Sequence, residues 1–474
     1  MSINPTSLDA LNAEIVQEFA YINYPPENWV KPLQEAGQPL LDVAIIGGGA
    51  NGMAAWFGLN KDGIRNIRIF DKSPRGFEGP WITTARMQTL RSPKHLTGPN
   101  LGFPKLTFRS WFEASMGVEA WEELDKIPTS MWMDYLKWYR EVLDIPVEND
   151  TRLIAIEPAS GFFRLTLQKG TEKEKILARH VVLATGRAAT GGVSLPEEAG
   201  SIPEKLRAHT EDKLDYSRFR DKRILVIGGA ASAADSAATA LEKGAKEVHM
   251  LIRAEEMPRL NKFKAIVYPG FMGGFSSIPK AERWAFLKSG FDAKIAAPRG
   301  SMLRLKAFEN FYLHFGSSVT SYEVKGEEIT AVTSKGEITG DFVIFGTGYA
   351  MDLSKQPELS SFAEDILLWK DCYTPPSDLQ DQTLGSYPYL GEGFQFLPKE
   401  GREAEPLSRL HLFNSGTTMT HAPISSDIPG ANTGVARLVD HLTKRFFKEG
   451  AGQHFADFEA YEEPELLGDE WKEA

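Results

Sequence analysis

Two segments of the sequence share the pattern of a buried strand that runs through a turn of small residues into a helix. The first is VAIIGGGANGMAAW, residues 43–56, and the second is RILVIGGAASAADSA, residues 223–237. Small residues at such a turn let the helix pack closely on the strand, and the helix N-terminus can hold a pyrophosphate. Two such units in one chain predict an α/β fold with two Rossmann-like dinucleotide-binding domains.

The first unit has every part of a dinucleotide site in the expected order. Its three turn glycines follow G-x-G-x-x-G spacing, a second strand IRNIRIF comes after the helix, and Asp71 lies 19 residues beyond Gly52. An acid at that place accepts hydrogen bonds from an adenosine ribose. The alternative is a glycine turn that only allows the helix to pack. The predicted binding residues are Gly47, Gly49, Asn51, Gly52, Asp71 and Lys72.

The second unit has the same layout but ends in a cation. Its second strand, KEVHMLIR, ends at Arg253, 20 residues beyond Ala233. A guanidinium there suits the 2′-phosphate of NADP, which an acid would repel. One departure is Ala230, whose methyl group stands where glycine normally lets the backbone approach a pyrophosphate. The alternative is a degenerate unit that binds no nucleotide. The predicted binding residues are Gly228, Ala230, Ser232, Ala233 and Arg253.

Two further apolar strands end in Thr-Gly turns, HVVLATGR at residues 180–187 and DFVIFGTGYAMDL at residues 341–353. Such turns are expected where the chain leaves one domain and where it returns to it. The alternative is a pair of ordinary buried strands that each end at a glycine, which would give the same sequence pattern. The turn residues are Thr185, Gly186, Gly346, Thr347, Gly348 and Tyr349. The predicted order is a lead-in (1–40), a first domain (41–190), an inserted second domain (191–335), the rest of the first (336–450) and an acidic tail (451–474).

Composition excludes several classes of protein. The formal charge is −11 and the 474 residues contain no Lys/Arg-rich block, which argues against a nucleic-acid partner. No apolar run approaches the roughly 20 residues of a membrane span, and no signal peptide is recognisable, so we expect a cytoplasmic protein. Cys372 is the only cysteine, which excludes a disulfide framework and a CxxC pair. The histidines lack metal-binding spacing, so no metal site is predicted.

The ordered motifs GGGANG, Asp71, GPW (79–81), ATG (184–186), GGAASAAD (228–235) and GTGY (346–349) resemble those of the class B flavoprotein monooxygenases. That family includes flavin-containing monooxygenases, Baeyer–Villiger enzymes and amino-acid N-hydroxylases. The resemblance implies FAD in the discontinuous domain and NADPH in the inserted one. It also implies that Trp81 lies near the flavin, and that residues 415–442 face its pyrimidine end, with the helix N-terminus at Gly434. The residues predicted there are Ser415, Gly416, Thr433 and Gly434.

Two stretches bear on the branch of the family. The fingerprint F-x-G-x-x-x-H of the Baeyer–Villiger and flavin-containing enzymes is matched only by His209, because Pro203 and Lys205 replace its Phe and Gly. By contrast, ITTARMQTLRSPKHLTGPN and IPTSMWMDYLKWY are similar to the flavin-facing stretch and following helix of ornithine and lysine N-hydroxylases. The resemblance there places Met87 and Gln88 beside the flavin ring.

The stretch after this Met-Gln pair is rich in cations for an acidic protein. Arg86, Arg91, Lys94 and His95 lie within ten residues. They are predicted to hold a substrate carboxylate or the NADP phosphates, and the alternative is a solvated loop whose cations pair with surface acids. Gln88 and Arg91 are the candidates for catalytic residues.

The reaction implied by the resemblance is an NADPH- and O2-dependent monooxygenation. NADPH would reduce FAD, O2 would form a C4a-(hydro)peroxyflavin, and a small polar substrate would be oxygenated, with an amine nitrogen favoured. Baeyer–Villiger or sulfur oxygenation by the same species, a flavin oxidase or dehydrogenase, and a non-catalytic nucleotide-binding regulator are the alternatives. The expected partners are a small-molecule substrate and O2, and the sequence does not indicate an oligomeric state.

Overall fold

The computed structural model describes residues 8–472. The strands it contains in that range are β1 Gln34–Glu35, β2 Gln38–Pro39, β3 Leu41–Ile46, β4 Ile67–Phe70, β5 Val147–Glu148, β6 Thr151–Ala159, β7 Phe162–Lys169, β8 Glu172–Leu183, β9 Arg207–His209, β10 Arg223–Ile227, β11 Glu247–Ile252, β12 Phe311–Phe315, β13 Val319–Lys325, β14 Glu328–Thr333, β15 Gly336–Gly340, β16 Phe342–Phe345 and β17 Leu410–Leu412.

The helices in the same range are α1 Leu8–Tyr21, α2 Ala50–Lys61, α3 Phe108–Met116, α4 Val118–Glu123, α5 Thr129–Val142, α6 Ala231–Glu242, α7 Pro269–Gly274, α8 Lys280–Asp292, α9 Arg299–Lys306, α10 Trp369–Cys372, α11 Gln382–Gly385, α12 Thr418–His421, α13 Ala431–Glu449 and α14 Ala451–Glu459. Of the helices in residues 8–472, none is both long and apolar enough to cross a membrane.

The first glycine turn belongs to the larger sheet, whose strand order is β5-β4-β3-β8-β7-β6, with β17 paired to β8. Strands β5, β4, β3, β8 and β17 run parallel, whereas β6, β7 and β8 form an antiparallel meander. Val43, Ala44 and Ile45 of β3 are fully buried. Burial on both faces explains why β3 has a continuous apolar sequence and not an alternating one.

The second turn belongs to a separate five-stranded parallel sheet of order β12-β11-β10-β16-β9. Strand β16 pairs with β10, with Ile224 opposite Phe342. The predicted return to the first domain at residue 336 is therefore wrong, because residues 342–345 complete the second sheet. Strands β13, β14 and β15 form a small antiparallel sheet just before β16. The α/β fold with two parallel-strand units is confirmed.

The two connecting segments run side by side, as expected for chain crossings. Val193 and Tyr349 form an antiparallel bridge, and the backbone N–H of Ser194 donates to the carbonyl of Gly348 at 2.9 Å. Gly191 has φ +151°, and a Cβ there would lie 2.5 Å from the backbone nitrogen of Asp352. The close contact of the two crossings thus requires glycine at this position.

Two buried histidines of the larger sheet, His180 on β8 and His411 on β17, form a chain of neutral imidazoles. Arg409 donates to Nε2 of His180 (3.4 Å), Nδ1 of His180 donates to Nε2 of His411 (3.0 Å), and Nδ1 of His411 donates to the carbonyl of Gly393 (2.7 Å). Both rings are fully buried. Burial lowers the pKa of His180 to about 4 and that of His411 well below its usual value.

We expect this histidine pair to make folding stability sensitive to acid. The unfolded chain binds protons at both histidines near pH 6.5 and the folded protein does not, so the stability they contribute is present above about pH 6.5 and is lost as the pH falls toward 4. Burial raises the pKa of Asp42 to about 6. This carboxyl therefore takes up one proton in the folded protein before it does so in the unfolded chain, which adds stability as the pH falls and partly offsets the effect of the two histidines.

The variant His411→Gln tests the sensitivity, because glutamine keeps a donor and an acceptor but does not titrate. Between pH 6.5 and 5 its free energy of unfolding should fall less steeply than that of the unmodified protein, by about 1.4 kcal/mol per pH unit for one proton. Thermal unfolding at several pH values measures the slope, with exposed His95→Gln as the control. Equal slopes for all three proteins would contradict the account.

Candidate active site

The turn between β3 and α2 is closely packed on two sides and open on the third. A Cβ on Gly47, which has φ +109°, would lie 2.3 Å from the carbonyl oxygen of Ala184, and one on Gly52 would lie 1.8 Å from that of Gly47. A Cβ on Gly49 would meet nothing within 4 Å. No side chain caps the N-terminus of α2. Its free N–H groups therefore face open space, which is the arrangement that holds a pyrophosphate.

Asp71 is held at the end of β4 by the turn itself. Its Oδ2 accepts from the backbone N–H of Gly48 at 2.8 Å, and its Oδ1 accepts from that of Ser73 at 2.7 Å. The residue is 8% exposed. Each carboxylate oxygen keeps a lone pair for a ribose hydroxyl. The neighbouring Lys72 side chain is exposed.

Three amide and hydroxyl groups tie the later part of the chain to this turn. Asn414 donates from Nδ2 to Oγ1 of Thr185 (3.0 Å) and accepts from the backbone N–H of Gly416 (2.9 Å). Asn51 donates to the carbonyl of Ser425 (2.7 Å). The predicted positions Asn51, Thr185, Ser415 and Gly416 are thus brought together. Asn414 and Ser425 were not predicted, because a single polar residue has no motif to mark it.

Helix α13 begins at Ala431, so the prediction of a helix N-terminus at Gly434 is wrong by one turn. A Cβ on Gly434 would lie 2.3 Å from the carbonyl oxygen of Ile424, and this glycine therefore serves close packing. Asn432, in the first turn beside Thr433, accepts from the backbone N–H of Leu101 at 3.0 Å. The helix start is thereby fixed to the loop that contains the cation-rich stretch.

The Met-Gln pair is anchored to the start of α5. Thr129 donates from Oγ1 to the carbonyl of Met87 at 2.7 Å and from its backbone N–H to that of Gln88 at 3.0 Å. Trp81, in the same loop, packs edge-on against Trp132, with 5.9 Å between ring centroids. The Gln88 side chain is exposed and reaches Oε1 of Glu242 on α6 at 3.4 Å. The loop thus spans from the first unit to the second.

The second turn reproduces the backbone of the first. A Cβ on Gly228, at φ +128°, would lie 2.5 Å from the carbonyl oxygen of Gly346, and a Cβ on Gly346 would lie 2.5 Å from the Cβ of Ala233. Ala230 has φ −94° and ψ −177°, close to the −73° and −174° of Gly49. Ala230 and Ser232 are exposed. The Ala230 methyl group therefore costs the protein no strain, and any effect it has falls on a ligand.

Arg253 is exposed at the end of β11, and no carboxylate among residues 8–472 forms an ion pair with it. Asp71, at the matching place in the first unit, already accepts two backbone hydrogen bonds. The two units therefore differ in the sign and the availability of the charge that a bound nucleotide would meet.

The four cations predicted as one cluster are not brought together. Lys94 donates to the carbonyl of Trp121 at the end of α4 (2.6 Å), and Arg86 donates to the carbonyl of Thr83 (2.6 Å). These contacts belong to the protein's own packing. His95 is exposed, and Arg91 points toward α6. The predicted four-residue site is therefore wrong, because these side chains are close in sequence but have different partners in the structure.

A buried acid on α6 receives Arg91. Asp235 is 2% exposed and lies 3.6 Å from Arg91, 2.5 Å from Oγ of Ser301 and 3.2 Å from Arg304. Arg304 also donates to the carbonyl of Arg86 at 3.2 Å. The network fixes the loop of the Met-Gln pair against the helix of the second turn.

The Thr-Gly turn after β16 lies at the chain crossing. Thr347 donates to the carbonyl of Ser194, and the Tyr349 hydroxyl donates to Oε2 of Glu211 at 2.6 Å. Gly348 has φ +82°. Burial and the Glu211 carboxylate raise the pKa of Tyr349, so this hydroxyl stays protonated at neutral pH. Within residues 8–472, no group of three metal-ligating side chains is found.

The profile of the family described as pyridine nucleotide-disulphide oxidoreductase matches residues 44–296. The chain is 33% identical over 465 residues to the FAD-dependent urate hydroxylase of Xanthomonas campestris. The aligned region covers 98% of each of the two chains.

Solved structures with the same fold are more distant in sequence. The ornithine N-hydroxylase of Kutzneria sp. 744, solved with reduced FAD, NADP+ and L-ornithine, has a TM-score of 0.68 and 17% identity over 86% of this chain and 100% of that one. The L-lysine 6-monooxygenase of Pseudomonas syringae has a TM-score of 0.63 and 17% identity, covering 85% of this chain and 99% of that one.

Proposed function

The chain belongs to the pyridine nucleotide-disulphide oxidoreductase family, and from that premise we propose that it is a FAD- and NADPH-dependent monooxygenase acting on a urate-like heterocycle. The observation that carries the proposal is the pair of matching turns with opposite charges, Asp71 in the first and Arg253 in the second. Disulfide chemistry is excluded because Cys372 has no second cysteine to pair with.

The first turn fits the adenosine diphosphate part of FAD. The open space in front of Gly49 and the uncapped start of α2 would receive the pyrophosphate, and Asp71 would accept from the ribose. The segments that Asn414 and Asn432 fix would border the ring. FAD, when bound, carries electrons from NADPH to O2 and supplies the oxygen transfer. The protein's task is to bind, to orient and to exclude water.

The second turn fits NADPH. Its exposed helix start at Ala230 would face the pyrophosphate, and the unpaired Arg253 would bind the 2′-phosphate. The loop that carries Met87 and Gln88 is fixed to α6 through Arg304 and Asp235, and it would hold the nicotinamide side of the cleft in place. Gln88 and Arg91, at this crossing, remain the proposed residues beside the reacting groups.

Two substrates are supported by different observations. Similarity over the full length to a urate hydroxylase supports a planar heterocyclic substrate. The shared fold with ornithine and lysine hydroxylases, together with the Met-Gln pair, supports oxygenation at an amine nitrogen. We favour the heterocycle because the identity to the urate hydroxylase is 33%, against 17% for each of the amine hydroxylases.

The first prediction from this proposal concerns the pyrophosphate cradle. Gly49→Val should fold, because its side chain enters open space, but should purify without FAD, because that space is the cradle. Gly52→Val should fail to fold, since its Cβ would collide with the carbonyl of Gly47. Visible absorbance measures FAD content and circular dichroism measures folding. A folded Gly49→Val protein that retains full FAD would refute the assignment.

The second prediction concerns coenzyme choice. Arg253→Ala should raise the Michaelis constant for NADPH about tenfold to a hundredfold and leave that for NADH nearly unchanged, because a charge-assisted contact contributes about 1.5–3 kcal/mol. Arg152→Ala, which removes an exposed arginine from β6, is the control. Equal effects on both coenzymes would exclude Arg253 from the phosphate site.

The third prediction concerns the reaction. Urate should accelerate NADPH oxidation and be consumed in a one-to-one ratio with NADPH, with little hydrogen peroxide released. Ornithine, lysine and cadaverine should leave the slow, peroxide-forming rate unchanged. Acceleration by an amine alone would favour N-hydroxylation. Stoichiometric peroxide with every compound would mean that the protein is an oxidase.

A further inference from the structure

Arg283 is a buried arginine without an acidic partner. It lies on α8 and is 5% exposed. One terminal nitrogen donates to the carbonyl of Thr420 (3.2 Å), the other donates to the hydroxyl of Tyr389 (3.1 Å), and Nε has no partner. No carboxylate of residues 8–472 lies within 4 Å of its guanidinium. The positive charge is therefore uncompensated.

Aromatic rings and further cations surround this guanidinium. Its Cζ lies 5.1 Å from the centroid of Trp369 and 5.4 Å from that of Tyr389. Lys280 lies over the same Tyr389 ring at 4.8 Å, and Arg437 donates to Nδ1 of His421 at 2.8 Å. Within the described part of the chain, Lys280 and Arg437 also lack an acid within 4 Å. We refer to Lys280, Arg283, His421 and Arg437 as the Arg283 cluster.

His421 adds no charge to the cluster. It is 2% exposed, and its Nε2 donates to the carbonyl of Gly391 at 2.9 Å while Nδ1 accepts from Arg437. Burial, followed by the charges of Arg437 and Arg283, lowers the pKa of His421 to about 3. Its neutrality at physiological pH leaves three cations in one place, in a chain whose net charge is −11.

An uncompensated buried cation is unfavourable for the folded protein. Removing a guanidinium from water costs several kcal/mol unless a counter-charge is supplied, and buried arginines in proteins normally have one. Elsewhere this chain follows that rule: buried Arg179 is paired with Asp42 at 3.0 Å. The cluster therefore has the electrostatics of a site whose negative charge comes from a ligand.

Two members of the cluster, His421 and Arg437, lie within residues 415–442, the stretch predicted to face the flavin ring. Thr420, which accepts from Arg283, lies on α12 three residues after Thr417, and three residues of helix rise by about 4.5 Å. Asn414, just before, is bonded to Thr185 of the first unit. Arg437 follows Gly434 by three residues on α13, whereas Arg283 reaches the same stretch from α8.

We propose that the Arg283 cluster binds the anionic part of a planar heterocyclic substrate, an inference that rests on the proposed function. The guanidinium keeps the unpartnered Nε–H and a second N–H on a terminal nitrogen as two parallel donors for an anionic N–C–O edge. The half-buried Tyr389 ring supplies a face for stacking. Arg91 and Arg187, by contrast, are already paired with Asp235 (3.6 Å) and Asp427 (2.9 Å). A cationic amine substrate would be repelled by the cluster.

The test compares Arg283→Met with Lys288→Met in the FAD-loaded, oxidised enzyme without NADPH. Lys288→Met removes the same charge from the same helix, but there the charge is paired with Asp292 at 2.5 Å. Isothermal titration measures binding of urate, of benzoate as a second planar anion, of neutral caffeine and of cationic cadaverine. Arg283→Met should weaken urate and benzoate binding at least tenfold, and Lys288→Met should not.

Ligand-free stability separates a binding role from a structural one. Because the unpaired charge is costly, Arg283→Met should unfold at a temperature no lower than the unmodified protein, and urate should raise that temperature only in the unmodified protein and the Lys288→Met control. If Arg283→Met does not fold, the same binding measurements are made on Arg437→Met, which should also bind urate at least tenfold more weakly than the unmodified protein.

The outcomes distinguish the two proposals. Binding of urate that depends on Arg283, without oxygenation, would support the cluster and refute the proposed function. Oxygenation of urate with an unchanged Michaelis constant in Arg283→Met would support the function and refute the cluster. Stronger binding of cadaverine than of urate, or equal losses in Arg283→Met and Lys288→Met, would also refute the cluster.

Discussion

Backbone-to-backbone contact at two small-residue turns is the constraint on which the structure depends. In the first turn the missing Cβ of Gly52 allows contact with the carbonyl of Gly47, and in the second the missing Cβ of Gly228 allows contact with that of Gly346. These contacts place the start of a helix at the carboxyl edge of each parallel sheet. They also leave one open space, in front of Gly49, where the chain itself puts no atom. The binding proposal for the first unit follows from that open space, and the proposal for the second follows from the matching backbone at Ala230.

Charge then differentiates two units that share one backbone. Asp71 is held by the turn beside it, and Arg253 is exposed and unpaired, so each unit suits a different adenosine nucleotide. Between the units, Asp235 receives Arg91, Ser301 and Arg304, and Arg304 also bonds to the loop of the Met-Gln pair. An acid on the second unit's helix therefore positions a loop of the first. Further along the chain, Arg283 and Arg437 contribute positive charge that no acid within 4 Å in residues 8–472 balances.

The features predicted correctly from sequence are those encoded locally. Both strand-turn-helix units lie where their glycine and alanine spacing indicated, and the resemblance to flavoprotein monooxygenases is confirmed by the full-length relative. What failed depended on distant partners. The cations of the cation-rich stretch do not form one site, because Lys94 is hydrogen-bonded to α4 and Arg91 is paired with Asp235 on α6. The boundary at residue 336 failed because β16 pairs with β10, more than a hundred residues earlier, and no local pattern records that pairing. Arg283 was missed for the same reason, since the absence of a partner is visible only in three dimensions.

The central claim is that this protein transfers oxygen from O2 to a substrate and does not merely pass electrons to O2. Turnover of urate with NADPH under isotopically labelled O2, followed by mass spectrometry of the product and of the released peroxide, measures this directly. The account predicts one labelled oxygen atom in each product molecule, with the other atom reduced to water. Product that contains no label, together with labelled peroxide equal to the NADPH consumed, would contradict it.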